Sequence, residues 1–243
     1  MKIFNSFGIT PTNTYLSAGS DYYIPNITND IQAAAALEAF KKSYKITDET
    51  LNDLFVLFKM EVEQNKYYNL INIIHLYLAV GNPRLDELKE TSLIESVLYF
   101  INEFLVYDDS KNVFGIELHT NDTLFINSGI KIALETVQKF EDNNIGIAGL
   151  YVNKSGMGNK GYDIRACLVD QDYSGYVHLS VAYTKELHKS GKNIVYCGDK
   201  LTQMMLIPIF HTEYEEISED EYNELMSNSE RGSDGFGSSD VKH

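Results

Sequence analysis

Between residues 29 and 107 apolar side chains recur every three or four positions, the spacing of helices that bury one face. The stretch "TDETLNDLFVLFKMEVE" opens on Thr47 with acids in its first turn. It then sets Leu51, Leu54, Phe55, Phe58 and Val62 on one stripe. Tyr67, Leu70, Ile71, Ile74 and Leu78 repeat the pattern until Gly81-Asn82-Pro83 stops it. A third stripe runs through Ile94, Val97, Leu98, Ile101 and Leu105. With a short helix across Ile31 to Phe40, these stripes predict a compact α bundle of about 80 residues.

The remainder has a different texture. "VHLSVAYT", "NIVYC" and "MMLIPIF" are strand-like runs bounded by Gly, Asn and Asp. "TLFINSGIKIAL" fits two short strands around a turn at Asn127 to Gly129. The pattern predicts an all-β unit, residues 1–28 and 111–212, folded as a sandwich or jelly roll and interrupted by a helical insert, residues 29–110. Residues 213–243 form an acidic linker and tail. Such a β unit must close or cover its sheet edges, and oligomerisation is one way to do so.

Composition narrows the function. The 243 residues are 44% hydrophobic, enough for one full core or one core and a small second one. No apolar run approaches the roughly 18 residues that cross a bilayer. The start, "MKIFNSFGIT", lacks a basic segment followed by an apolar one, so a cytoplasmic location is expected, the host cytoplasm for a viral source. Cys167 and Cys197 lack metal-type spacing and read as two free thiols. A net charge of −15 disfavours nucleic acid or an anionic membrane as partner. A small polyanion remains open, because a few cations and backbone N–H groups suffice to hold one. Acidity is concentrated: residues 213–230 carry eight carboxylates and no Lys or Arg.

Candidate chemistry lies in "NKSGMGNKGYDIRACLVDQDYSG", residues 153–175. Lys154-Ser155-Gly156-Met157-Gly158 offers a cation, a hydroxyl and a permissive backbone, but alone it fits a plain surface turn. Asp170 and Asp172 flank Gln171 ahead of Tyr173 and Gly175, and alone they fit a solvated acidic hairpin.

In order along the chain, these segments resemble the motifs of the homotrimeric dUTP pyrophosphatase (dUTPase) family. "AGSDYYIP" resembles the first motif, "NKSGMG" the second and "LVDQDYSG" the third. "GDKLTQMMLIPI" resembles the fourth and "RGSDGFGSS" the fifth, while "NDTLFINSGIKIAL" is similar to the strand pair before the second. The resemblance does not extend to residues 29–110. It implies a mainly β, β-clip type jelly roll with a flexible C-terminal arm. It also implies hydrolysis of dUTP to dUMP and pyrophosphate by water attacking the α-phosphorus. Asp170 stands where the family has its water-activating carboxylate, and Tyr173 where a ring packs under the deoxyribose. Lys154, Ser155, Gly156, Gln203 and Arg231 match phosphate-binding positions. Phe236 is placed to lie over uracil, with Gly237 and Ser238 letting the backbone approach the phosphates. The uracil hairpin corresponds to Asp163, Ile164 and Cys167, and Asp21 to a supporting carboxylate. Mg²⁺ is implied as cofactor, held by phosphates and waters with no direct protein ligand. The implied assembly is a homotrimer with sites shared between subunits.

Three departures stand out: Lys154 replaces the usual Arg, Arg165 and Cys167 replace hairpin glycines, and Asp234 replaces a tail glycine. A dCTP deaminase of the same fold is the nearest alternative, but it needs a Glu where this chain has Ser180. From another class, the chain could act as an interaction protein with a protein partner on the insert 29–110, a reading that suits a bacteriophage or low-GC bacterial source. His75, on an apolar helix face, is expected in the core.

Overall fold

The computed structural model describes residues 1–13, 17–63, 66–135, 144–184 and 193–227. Most of its helices begin at short polar side chains that accept the first free N–H groups. Asn29 caps α1 (Asp30–Ser43) and Thr47 caps α2 (Asp48–Glu61) through the Thr50 N–H at 3.1 Å. Helix α3 spans Tyr67–Ala79, α4 Pro83–Thr91 and α5 Leu93–Glu103. The Gly81-Asn82-Pro83 stop is also a start. Asn82 Oδ1 accepts from the N–H groups of Arg84 and Leu85, and Pro83 sits at the first helical position, where no donor is needed. The apolar stripes do not predict α4, which buries only Leu85 and Leu88.

Outside residues 30–103 the chain is strand-rich. In order come β1 (Lys2–Asn5), β2 (Ser20–Tyr23), β3 (Val80–Gly81), β4 (Leu105–Asp108), β5 (Val113–Glu117), β6 (Thr123–Asn127) and β7 (Ile130–Ala133). Then follow β8 (Ile145–Asn153), the short helix α6 (Ser155–Asn159), β9 (Tyr162–Ile164), β10 (Leu168–Val169), β11 (His178–Tyr183), β12 (Ile194–Tyr196) and β13 (Lys200–Phe210). The sheets run β1-β7, β10-β8-β13-β2, β3-β6-β11-β9 and β12-β5-β4. This is the expected β jelly roll interrupted by helices.

Strands β6 and β7 flank the predicted turn, where Gly129 takes φ +72°, a backbone region open mainly to glycine. They do not pair with each other: β6 joins β11 and β7 joins β1. Two strands also arise inside the stretch read as helical. Val80 pairs with Leu124, and Leu105–Asp108 pairs along β5, so the helical segment is stitched into two sheets by backbone hydrogen bonds.

One core runs from the helices into the sheets, and α3 lies at its centre. The sequence predicts one apolar face for α3, yet ten of its residues are buried, Asn69, Asn72 and His75 among them. The reason is position: α3 packs against α1 and α2 on one side and β5 and β6 on the other. His75 stacks on Phe40 with ring centroids 4.5 Å apart, and burial pulls its pKa down to about 3, so it is a neutral core residue.

Residues 1–209 form one compact unit and 210–243 a second. The described part of the second unit holds α7 (Glu219–Leu225), capped by Ser218, with no buried residue. Among the described residues no helix is long and apolar enough to cross a membrane.

Asn72 ties the insert to the β unit. Its side chain donates to the Ile27 carbonyl and accepts from the Ile27 N–H, both at 2.9 Å and both buried. Replacing Asn72 by Leu leaves two buried backbone groups unpaired, so Asn72→Leu should lower unfolding stability by about 2–4 kcal/mol. A urea midpoint equal to that of the parent protein would refute this role.

Candidate active site

Two clusters carry the predicted site residues, and the fold keeps them apart. The first gathers around Asp21 on β2. Its carboxylate takes Lys154 Nζ at 2.9 and 3.1 Å and Lys200 Nζ at 2.9 Å. Gln203 lies directly across from Asp21 in the β2–β13 register and donates to the Gly19 carbonyl at 3.2 Å. Burial acts to raise the Asp21 pKa, but hydrogen bonds and charge from the two lysines outweigh it and hold the carboxyl below its usual range. Two ammonium groups on one carboxylate leave a net positive cluster. Ser155 and Gly156 follow Lys154 at the exposed start of α6, and a side chain added at Gly156 would meet only open space.

The second cluster is a cavity of about 190 Å³ walled by Phe125, Tyr151, Ala166, Leu168, Asp170 and Tyr173. A turn holds the last two, with Tyr173 N–H donating to the Asp170 carbonyl at 3.2 Å. Gln171 Oε1 accepts from the Ile147 N–H at 3.0 Å and moors that turn to β8. The Tyr173 hydroxyl donates to the Tyr176 carbonyl at 2.8 Å, and its ring lies so close over Gly175 that a Cβ there would collide with it. Asp170 is exposed, as are the apolar faces of Phe125, Leu168 and Tyr173.

The hairpin residues sit beside this cavity. Asp163 turns its carboxylate to Asn153 and Thr184, the Ile164 N–H donates to Asn153 Oδ1, and the Cys167 carbonyl accepts from the Tyr151 N–H. Ala166 and Leu168, rather than those three, supply the hairpin's share of the wall. Cys167 is an exposed free thiol and Cys197 a buried one. Arg231, Phe236, Gly237 and Ser238, and with them Asp234, lie outside the described residues.

Lys200 is a site residue that sequence reasoning passed over. Its signal was present: it is the sole cation between residues 193 and 210, inside the fourth motif. Phe125 gave no signal, because only the pairing of β6 with β11 brings it to the cavity.

The gap between the clusters follows from register. Val169 pairs with Gly149, which sets Asp170 beside Ala148, while Lys154 lies six residues farther along the same strand direction. At about 3.3 Å per residue their backbone positions lie roughly 20 Å apart along the strand.

Residues 109–240 match the dUTPase family model, more than half of the chain. The chain belongs to the dUTPase family. A deoxyuridine 5'-triphosphate nucleotidohydrolase from Acinetobacter baumannii (strain AYE) is 28% identical over 130 residues, 51% of this chain and 72% of that protein. Its counterpart from Hamiltonella defensa is 32% identical over 96 residues, 38% of this chain and 57% of the other. The solved structure of a Staphylococcus bacteriophage 80alpha dUTPase aligns at 16% identity with a TM-score of 0.39, covering 55% of this chain and 89% of that one. That likeness is too slight to bear on the site. The dUTPase match takes in Lys154, Asp170, Tyr173 and Gln203 and begins after Asp21. The ion pair with Lys154 is what joins Asp21 to the dUTPase segment.

Because the Asp21 pKa is lowered, its contribution to stability is fully present above the ordinary carboxylate range and is lost as pH falls through the lowered value. Asp21→Asn should destabilise the protein by about 1 kcal/mol at pH 7, after allowance for screening of the partly exposed lysines. The gap from the parent should shrink by pH 3. A gap in urea midpoints that stays constant over that range would count against the two-lysine clamp.

Proposed function

We propose that this chain hydrolyses dUTP to dUMP and pyrophosphate. The observation that carries the reading is the family match across a segment whose Asp170–Tyr173 turn stands at the mouth of a nucleoside-sized cavity. Asp170, exposed and moored by its neighbour Gln171, takes the proton from a water that attacks the α-phosphorus. The Tyr173 ring, fixed by its bond to Tyr176, lies under the deoxyribose and leaves no room for a 2′-hydroxyl. Lys154, Ser155, Gly156 and Gln203 hold the β- and γ-phosphates, with Asp21 orienting Lys154 and Lys200 adding charge. Arg231 and Phe236, with Gly237 and Ser238, close over the bound nucleotide from the C-terminal arm.

Among the described residues no three His, Cys, Asp or Glu side chains form a group that could hold a metal. In this reading a Mg²⁺ would arrive with the nucleotide and take its oxygens from the phosphates and water. When bound, Mg²⁺ neutralises charge that gathers on the departing pyrophosphate.

The backbone positions of Asp170 and Lys154 lie roughly 20 Å apart along β8, a span that one nucleotide bridges more readily when they come from different copies. This supports a cyclic homotrimer with shared sites. A deaminase gains no support, since position 180 on β11 is Ser and not the Glu that such chemistry needs.

Asp170→Asn should lower kcat for dUTP by 10²- to 10⁴-fold, the worth of a positioned general base, with nucleotide binding retained. The check is pyrophosphate release beside equilibrium binding of a non-hydrolysable analogue. Turnover within threefold of the parent would remove Asp170 from the mechanism. Truncation after Glu230 should likewise cut turnover by at least tenfold, and an unchanged rate would exclude the arm from the site.

A further inference from the structure

A larger cavity in the first unit lies next to the nucleoside cavity, not within it. It measures about 440 Å³ and shares Phe125, Tyr173 and His178 with its neighbour. The rest of its wall comes from two sources: Glu38, Lys42 and Ser43 on α1, and Lys131 and Tyr176 from the β unit. Volumes of this order are typical of small-molecule sites.

The wall is built firmly. The Tyr44 hydroxyl donates to the Phe125 carbonyl at 3.2 Å and accepts from the Asn127 N–H at 3.1 Å. Asn127 Nδ2 donates to Ser43 Oγ at 2.7 Å, which leaves the Ser43 O–H free to turn toward a ligand. These bonds fix the end of α1, and with it Lys42, against β6.

Charge and shape together select the ligand. In a chain of net charge −15, Lys2, Lys41, Lys89, Lys111, Lys154 and Lys200 all have carboxylate partners. Lys42 and Lys131 have none among the described residues, a condition shared by Lys45, Lys59, Lys66, Lys160 and Arg165, but these two alone line this cavity. Lys131 lies over the Tyr176 ring at 4.8 Å, and Glu38 is already engaged by Lys41 at 2.6 Å. Beside these cations is a flat aromatic shelf. Phe125 and His178 stack with centroids 4.5 Å apart and planes 6° from parallel, and Phe125 is 43% exposed. The bond from His178 Nδ1 to the Tyr176 carbonyl, 2.9 Å, fixes the plane of that shelf. Two lysines match the charge of a phosphate monoester. An exposed ring face takes a planar base by offset stacking.

We propose that this cavity, formed jointly by the helical insert and the β unit, is a second ligand site that takes a nucleoside monophosphate, phosphate on Lys42, Lys131 and Ser43, base on the Phe125 shelf. The inference rests on the adjacent cavity being the dUTP site, since only then are the two ligands distinct.

The test uses full-length protein saturated with a non-hydrolysable imido analogue of dUTP, titrated calorimetrically with AMP, GMP, CMP, UMP and inorganic phosphate. At least one monophosphate should bind at one per chain with the analogue in place. Lys42→Glu and Lys131→Glu should each weaken that binding tenfold or more, while kcat/KM for dUTP stays within about twofold. Lys42 is exposed, so the first variant should fold normally. No binding beside the analogue overturns the proposal, as does binding that both variants leave intact. Inorganic phosphate binding as tightly as the best monophosphate overturns the ligand class. Monophosphate binding in a protein that fails to hydrolyse dUTP would sink the proposed function instead, so the two failures are distinguishable.

Discussion

Strand β8 carries the constraint on which the function depends. Its Ala148 end lies beside Asp170 and its far end leads into Lys154, and extended backbone cannot bring the two together. Register is fixed by the alternation of buried and open positions, since a slip of one residue would turn the buried side chains outward. Each chain therefore holds a cavity lined by Asp170 and Tyr173 and, separately, a cationic cluster around Asp21. The exposed apolar faces of Phe125, Leu168 and Tyr173 fit the same picture, since a second surface or a nucleotide can cover them.

The helical insert is not an appendage hung on the β unit. Its central helix is buried on nearly all sides, its Asn72 pairs with the Ile27 backbone, and β3 and β4 join it to two sheets. Rigid attachment has a consequence at the site. The end of α1, held by Tyr44 and Asn127, becomes a wall next to Tyr173, so the insert shapes space adjoining the nucleoside cavity.

Much of the candidate site was legible in the sequence because its motifs are short and local. The Asp170–Tyr173 turn is closed by bonds between near neighbours, so four residues in a row suffice to form it. Lys154 and Asp21 were legible as candidates but not as partners, because 133 positions separate them and only the sheet order brings them together. Phe125 and His178 were not legible at all. An aromatic residue and a histidine on ordinary strands carry no signal until pairing stacks them. Helix α4 escaped for a related reason, since two buried leucines set no period while Asn82 and Pro83 start the helix by capping.

The sequence by itself determined the alternation of helical and strand segments, the helix start at Thr47, and the family of the chain. These rest on periodicity, capping and contiguous motifs, all local in the chain. Tertiary structure decided what depends on distant residues meeting. It buried α3 on both sides, clamped two lysines onto Asp21, set Asp170 apart from Lys154, and opened a second cavity between α1 and the β unit. The physical reason is that strand pairing and core packing are nonlocal. They choose among the faces that the sequence offers, and only that choice creates a site.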